Sequence, residues 1–284
     1  MFKFFRRIRY NLIGTSKTVS SSEAPAKAGK YLKYAFGEVI LVVIGILIAL
    51  QINNWNQLKK DGNTERKYLI NIISDLNEQL AAIQTQKKYE KGFIDTTIPL
   101  ITYYNDHLEF LIDSTFFAKI SSLNTRKTFI TTDPTFTDLV SSGNIKLFKN
   151  DTLKKKIISY YQEIELSEKI IQNNNTLIVD QQYGAVIKEL AYYYVTQTNR
   201  YLDNIDSLDV DVKEAADKLS YYNSNLAQTS KNILASPENQ LLLMNGLNQR
   251  ANVCIAHYQR ALILENKTND LIQEIETVLN EKTF

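Results

Sequence analysis

YAFGEVILVVIGILIALQINNWN, residues 34–56, contains the one strongly apolar run of the chain, with a glutamate, Glu38, near its start. Residues 39–50 are consecutive non-polar positions. Read as a helix from Tyr34 to Trp55, the segment is about 33 Å long, enough to cross a bilayer core of roughly 30 Å. Its ends complete a short apolar centre. Tyr31 and Tyr34 suit one headgroup level and Trp55 the other, and Asn53, Asn54 and Asn56 suit the exit interface. A cleaved leader needs a small-x-small site after the core, and ALQINNWNQ offers none. A lipoprotein leader needs a cysteine there. A buried core helix would explain the apolar run but neither the basic stretch before it nor the aromatic ends. The segment therefore reads as a retained signal-anchor over residues 31–56.

Charge sets the expected orientation. The net charge of +2 conceals eight basic residues and one acid, Glu23, within residues 1–33, while the part beyond residue 55 is mildly acidic. A main domain that binds nucleic acid would show the reverse. The excess of Lys and Arg before the span places the N-terminus in the cytoplasm and residues 57–284 in the periplasm, across an inner membrane. Residues 1–13, MFKFFRRIRYNLI, read as a basic amphipathic arm on anionic headgroups, and residues 14–30, small, polar and interrupted by Pro25, as a flexible link. The expected membrane-interface residues are Arg6, Arg7, Arg9, Lys30, Lys33, Tyr34, Glu38 and Trp55. Glu38 lies about one turn into the span, where its carboxylate can reach back to the headgroups. Gly37, Gly45 and Ala49 form a stripe of small residues for packing one span against another. A homodimer or an envelope protein is the partner class this implies.

Beyond residue 64 the apolar period is helical almost throughout, starting with Leu69, Ile72 or Ile73, Leu76, Leu80 and Ile83. This helix can continue almost directly from the span, since Gly62 is the only clear break between them. Residues 93–113 read as a second helical segment that Pro99 kinks or divides, with Leu108, Leu111 and Ile112 on its apolar side. Asp133-Pro134 has the form of a cap followed by proline at the first helical position, and Gly143 suits the left-handed stop of the same short helix. Asn150 or Asp151 opens a long helix reaching toward residue 200. Asp203, Asp206, Asp209 and Asp211 lack the glycine of a calcium loop and read as a solvated loop. Ser236-Pro237-Glu238 opens a last helix to about 281, with a break near Gly246. The fold class is all-α: a single N-terminal transmembrane helix, then a bundle of four or more long helices.

Motifs for chemistry are missing. The sequence has no Gly-rich phosphate loop, HExxH, CxxC or nucleophile elbow. Cys254 is the sole cysteine, and with His107 and His257 as the only histidines no Cys- or His-rich metal site is possible. Cys254 and His257 share a helix face, but both also fit its apolar side, so a buried inert thiol is expected. No catalytic residue, cofactor or metal is assigned. The tyrosines at 103–104, 160–161, 192–194 and 221–222 are too closely spaced for all to face a core, so some border a groove, an interface or the surface.

KFFRRIR at 3–9, KYLKYAFGEVILVVIGILIALQINNWN at 30–56 and SSGNIKLFKNDTLKKKIISYY at 141–161 together resemble a family of single-pass membrane proteins of unknown function from Bacteroidota, especially flavobacteria. The serine- and alanine-containing link at 15–29 is longer than that pattern. The resemblance implies that the apolar run is kept as an anchor, and it supplies no activity. The function expected is a scaffold or protein-interaction domain. The alternative is a ligand-sensing or regulatory protein, which would need a concave pocket lined by convergent polar groups.

Overall fold

In the computed structural model, which describes residues 24–194, 214, 215, 217, 218 and 221–281, with side chains from residue 35 onward, the described elements are all helical. The chain divides into two units, one ending at Lys60 and the other beginning at Asp61. Helix α1 runs from Ala24 to His107 and belongs to both.

In the first unit, every residue from 35 to 60 except Gly37 is exposed. In water this would leave a dozen aliphatic side chains without cover, each worth about 1.5–3 kcal/mol when buried. A single apolar helix of this length is consistent with single-pass membrane topology. The helix begins earlier than the sequence pattern suggested and takes in residues 24–30, expected as flexible link. Pro25 falls in its first turn, where the missing N–H has no intrahelical partner to lose.

Among the described residues the second unit is built on three long helices, where four or more were expected: α1 from Asp61, α4 (Asp151–Asn174) and α7 (Pro237–Glu281). Short helices fill the corners: α2 (Phe116–Ser122), α3 (Pro134–Ser141), a 3₁₀ turn (Asn144–Leu147), α5 (Gly184–Leu190) and α6 (Ser224–Ile233). Each long helix buries one stripe at alternating steps of three and four. On α1 the stripe is Leu69, Ile72, Leu76, Gln79, Ile83, Gln86, Glu90, Phe93 and Thr97. On α7 it runs from Leu243 and Leu247 through Arg250, Cys254 and His257 to Leu271, Ile275 and Val278. From Ile171 near the end of α4 the stripe runs on through the following turns into α5 as Asn175, Val179, Tyr183 and Ile187, four steps of four. An α-helix would rotate such a stripe by about 40° per step. The wider turn of a π-helix over Asn175–Tyr183 cancels that drift and keeps Val179 and Tyr183 buried. The helical run ends at Leu190, where Ala191 turns to extended backbone, short of the residue 200 expected.

Several expected breaks are absent. Pro99 lies inside α1 on an exposed face, where water can reach the carbonyl that proline leaves without a donor. Gly62 also continues α1, so the helix runs on directly from the apolar segment, the continuation the sequence allowed. Gly246 continues α7 and is a contact: a Cβ there would lie 3.4 Å from the Tyr183 ring. Asp133 precedes α3 as expected, but its carboxylate accepts from the Thr137 hydroxyl, and the Thr135 N–H donates instead to Asp75 of α1, 2.8 Å away. Gly143 takes φ +71° and Asn150 caps α4 through the Leu153 N–H, both as the sequence suggested.

Leu108 does not extend the apolar side of α1. It sits just past the helix end at φ 60°, 76 % exposed, with its N–H bonded to the Tyr104 carbonyl. A left-handed leucine costs roughly 1–2 kcal/mol that glycine does not. Leu108→Gly is therefore expected to raise stability by about 1 kcal/mol, read as a higher urea midpoint at unchanged slope.

Candidate functional site

Two hydrophobic cores occupy the bundle. The first joins Leu69–Ile83 of α1 to α4 and the later half of α7, and the second joins Phe93 to α2, α5, α6 and the first half of α7. Between them lies a layer of buried polar side chains: Gln86 and Glu90 from α1, Asn174 and Asn175 at the end of α4, and Arg250 and His257 from α7. All are buried except Asn174, which is half-buried.

The layer is bonded across all three helices. His257 Nδ1 lies 3.1 Å from Glu90 Oε1, and its Nε2 lies 3.1 Å from the Asn174 amide nitrogen. With Asn174 donating to Nε2, the ring proton sits on Nδ1 and is donated to Glu90. Gln86 donates to the same carboxylate at 2.8 Å. Arg250, 1 % exposed, lies over the Phe93 ring with Cζ 4.5 Å from its centroid. Its guanidinium donates to the Leu123 carbonyl (2.8 Å), the Thr125 carbonyl (3.1 Å) and the Cys254 sulfur (2.9 Å).

These bonds fasten a strap. Between α2 and α3 the chain crosses the bundle with little helical structure, so its backbone groups need partners from side chains. Arg250 takes the carbonyls of Leu123 and Thr125, and Asn175 donates to the Lys127 carbonyl. Glu168 accepts from the N–H and hydroxyl of Thr131, Gln79 from the Thr132 N–H, and Asp75 from the Thr135 N–H. Arg126 pairs with Asp180 on the π-helix. Buried polar positions on all three long helices thus serve one irregular segment.

Cys254, His257 and Glu90 have the composition of a cysteine-nucleophile triad, but the geometry does not assemble one. Burial, reinforced by the Glu90 carboxylate and opposed by Arg250, pushes the Cys254 thiol up to about 12. The thiolate required for attack is therefore scarce at neutral pH. Both ring nitrogens of His257 are engaged by Glu90 and Asn174, and the thiol is fully buried. The expected inert thiol is what the structure holds. Glu90, the residue that orients His257, went unnoticed in the sequence. No cluster of three metal-ligating side chains occurs among the described residues.

Of the expected membrane-interface residues, only Glu38 and Trp55 have described side chains. Arg6, Arg7 and Arg9 lie outside the described residues, as do Asp203, Asp206, Asp209 and Asp211 and the side chains of Lys30, Lys33 and Tyr34. Glu38 and Trp55 are exposed on α1, and the Lys59 ammonium lies 5.7 Å from the Trp55 ring centroid. A Cβ added at Gly37 or Gly45 would meet nothing within 4 Å, and Ala49 is exposed. Tyrosine pairs divide differently from one another. Tyr160 and Tyr161 are both buried, whereas Tyr193 and Tyr221 are exposed and Tyr192, Tyr194 and Tyr222 form an aromatic cluster at the core's edge.

No curated protein and no solved structure matches this chain. A family of unknown function, DUF6090, matches residues 38–215, from Glu38 through α1, the strap and α4, leaving α7 with Arg250 and His257 outside the match. That match takes in well over half of the 284 residues, and the chain belongs to this family.

Proposed function

We propose that this protein is a membrane-anchored scaffold whose helical bundle binds a protein or another envelope component. Residues 31–56 anchor it in the inner membrane, the basic residues before the span hold the N-terminus on the cytoplasmic side, and residues 57–284 stand in the periplasm. The observation that carries the reading is an apolar surface at one end of the bundle. Leu241 on α7 is 62 % exposed, Leu226 and Ile233 lie a heptad apart on α6, and Leu108 and Leu111 follow α1. Hydrogen bonds from Asn239 to the Ile233 carbonyl (2.7 Å) and from Tyr104 to Gln240 (3.1 Å) draw these three elements to the same end. Exposed aliphatic side chains gathered at one end of the bundle suit a partner interface.

Ligand sensing is the less supported alternative. A shallow groove is lined by Gln84, Lys87, Lys88, Lys91 and Tyr258, but Lys87 is tied to Glu265 and Lys91 to Asp95. The decisive experiment is affinity purification from membranes in mild detergent, comparing the native chain with Leu226→Glu/Leu241→Glu. A discrete co-purifying protein, lost from the variant, is expected. A lone monomer in both samples would remove the scaffold reading.

A further inference from the structure

The 3₁₀ turn and the start of α4 present a row of lysines on a rigid edge. Lys146, Lys149 and Lys155 are exposed and make no ion pair with any described residue. The acids around them are occupied. Asp151 pairs with Lys154, Glu274 with Lys156, and Asp138 accepts from the Tyr68 hydroxyl. The hydrogen bond from Lys154, with the charges of Lys154 and Lys155, holds the Asp151 carboxyl below its ordinary value, as a positive local field requires.

The backbone of this edge is fixed to α1. The Lys149 N–H donates to Glu65 (3.3 Å), and the Asn144 amide donates to the Tyr68 hydroxyl (2.9 Å). Glu65 is ten residues beyond Trp55. That is at most about 36 Å of chain in any conformation. The last turn of α7 also comes alongside here, with its Leu279 carbonyl accepting from Arg66, and it ends in Glu281, so the favourable side is that of α4.

We propose that Lys146, Lys149 and Lys155 dock the bundle on anionic lipid headgroups beside its own anchor. The inference rests on the reading that the apolar stretch of α1 spans a membrane. Each lysine brought into an anionic headgroup region multiplies the docked population about fivefold. The tether supplies an effective lipid concentration that a free domain would lack. Lysine ammonium groups on flexible stems suit a fluid headgroup layer better than a shaped protein pocket. The contact restrains the bundle against the surface and leaves the apolar end, built from the opposite ends of α1 and α7, to a partner.

The test uses the full chain in nanodiscs of phosphatidylcholine, with and without phosphatidylglycerol. Thr152→Cys, on the lysine edge, takes a fluorophore while buried Cys254 stays unlabelled, and acceptor-labelled headgroups report proximity. Energy transfer should rise in anionic discs, fall back at about 1 M salt, where the Debye length is about 3 Å, and stay flat for a label at Lys231→Cys on α6. Lys146→Glu/Lys149→Glu/Lys155→Glu should lower the docked-to-free ratio at least about a hundredfold. Equal transfer in both lipids, or an unchanged triple variant, would overturn the docking. Failure of the chain to enter nanodiscs at all would instead overturn the anchor.

Discussion

Arg250→Met is expected to lower the stability of the bundle by about 3–5 kcal/mol, measured as a lower urea midpoint in circular dichroism of the detergent-solubilised chain. The side chain is buried, and its guanidinium closes three acceptors at once: the carbonyls of Leu123 and Thr125 and the sulfur of Cys254. Methionine nearly fills the volume and keeps a favourable contact with Phe93, so little of the loss comes from a cavity. What is lost is the satisfaction of two buried carbonyls, at about 1–3 kcal/mol each, and the positive charge in the layer that holds Glu90. Arg250→Lys separates the two contributions. It keeps the charge but cannot span both carbonyls with a planar fork, so an intermediate loss is expected. Proteolysis within residues 123–133 should increase in both variants, because the strap is what the guanidinium fastens. A loss below about 1 kcal/mol for Arg250→Met would mean that water can replace the fork, and that the strap is held chiefly by Gln79, Asp75 and Glu168.

The helical class could be read directly, as could the boundaries set by local caps: both ends of α3, the start of α4 and both ends of α7. Capping residues such as Asn150 and Ser236, the left-handed Gly143 and the three-four period of Leu69, Ile72 and Leu76 each act locally, within one turn of chain. The polar layer could not be read the same way. Glu90, Gln86 and Asn174 are ordinary solvent-face residues to any local pattern, and the partner that joins them, His257, lies 167 residues from Glu90. A signal was nonetheless present. Extending the α1 stripe in steps of three and four from Leu76 lands on Gln79, Ile83, Gln86, Glu90, Phe93 and Thr97, all of them buried. The same extension on α7 reaches Arg250, Cys254 and His257. Register, followed past the first polar residue, is therefore more informative than polarity on a long helix. The π-helix was out of reach for a different reason. Steps of four from Ile171 to Ile187 look like drift of an α-helical stripe until the packing shows which turn width absorbs it. Pro99 and Gly246 were overweighted because their cost depends on exposure and neighbours, which lie outside local sequence.

Alkaline pH is expected to unfold the bundle from within, beginning near pH 9. The Cys254 thiol, with an ordinary value of 9.0, is pushed up to about 12, first by burial. Tyr160 is likewise raised to about 12 by burial, against a partly compensating hydrogen bond with Thr268. Burial also raises Tyr161, with Asp75 adding repulsion, and Tyr183, whose hydroxyl donates to the Ile120 carbonyl at 2.8 Å. In each case the folded state retains a proton that the unfolded chain gives up earlier. Between the two values the unfolded state binds fewer protons, so stability falls as pH rises. The contribution is intact below pH 9 for the thiol and below pH 10 for the tyrosines, and it declines toward pH 12 and beyond. Each pH unit of such a window weakens the fold by about 1.4 kcal/mol per group, so the groups together amount to several kcal/mol, comparable to the whole stability of a domain. Between pH 9 and 10 Cys254 is the largest single contributor, while the phenols, with ordinary values of 10.0, become half ionised in the unfolded chain only at the top of that interval. Urea midpoints there should fall for the native chain and fall less steeply for Cys254→Ala, despite the lower starting stability that its small cavity brings. Tyr160→Phe should flatten part of the decline, mostly above pH 10. A slope from pH 9 to 10 that Cys254→Ala leaves unchanged would mean that the thiol reaches solvent, and the dry packing of Cys254 between Arg250 and Glu90 would then be wrong.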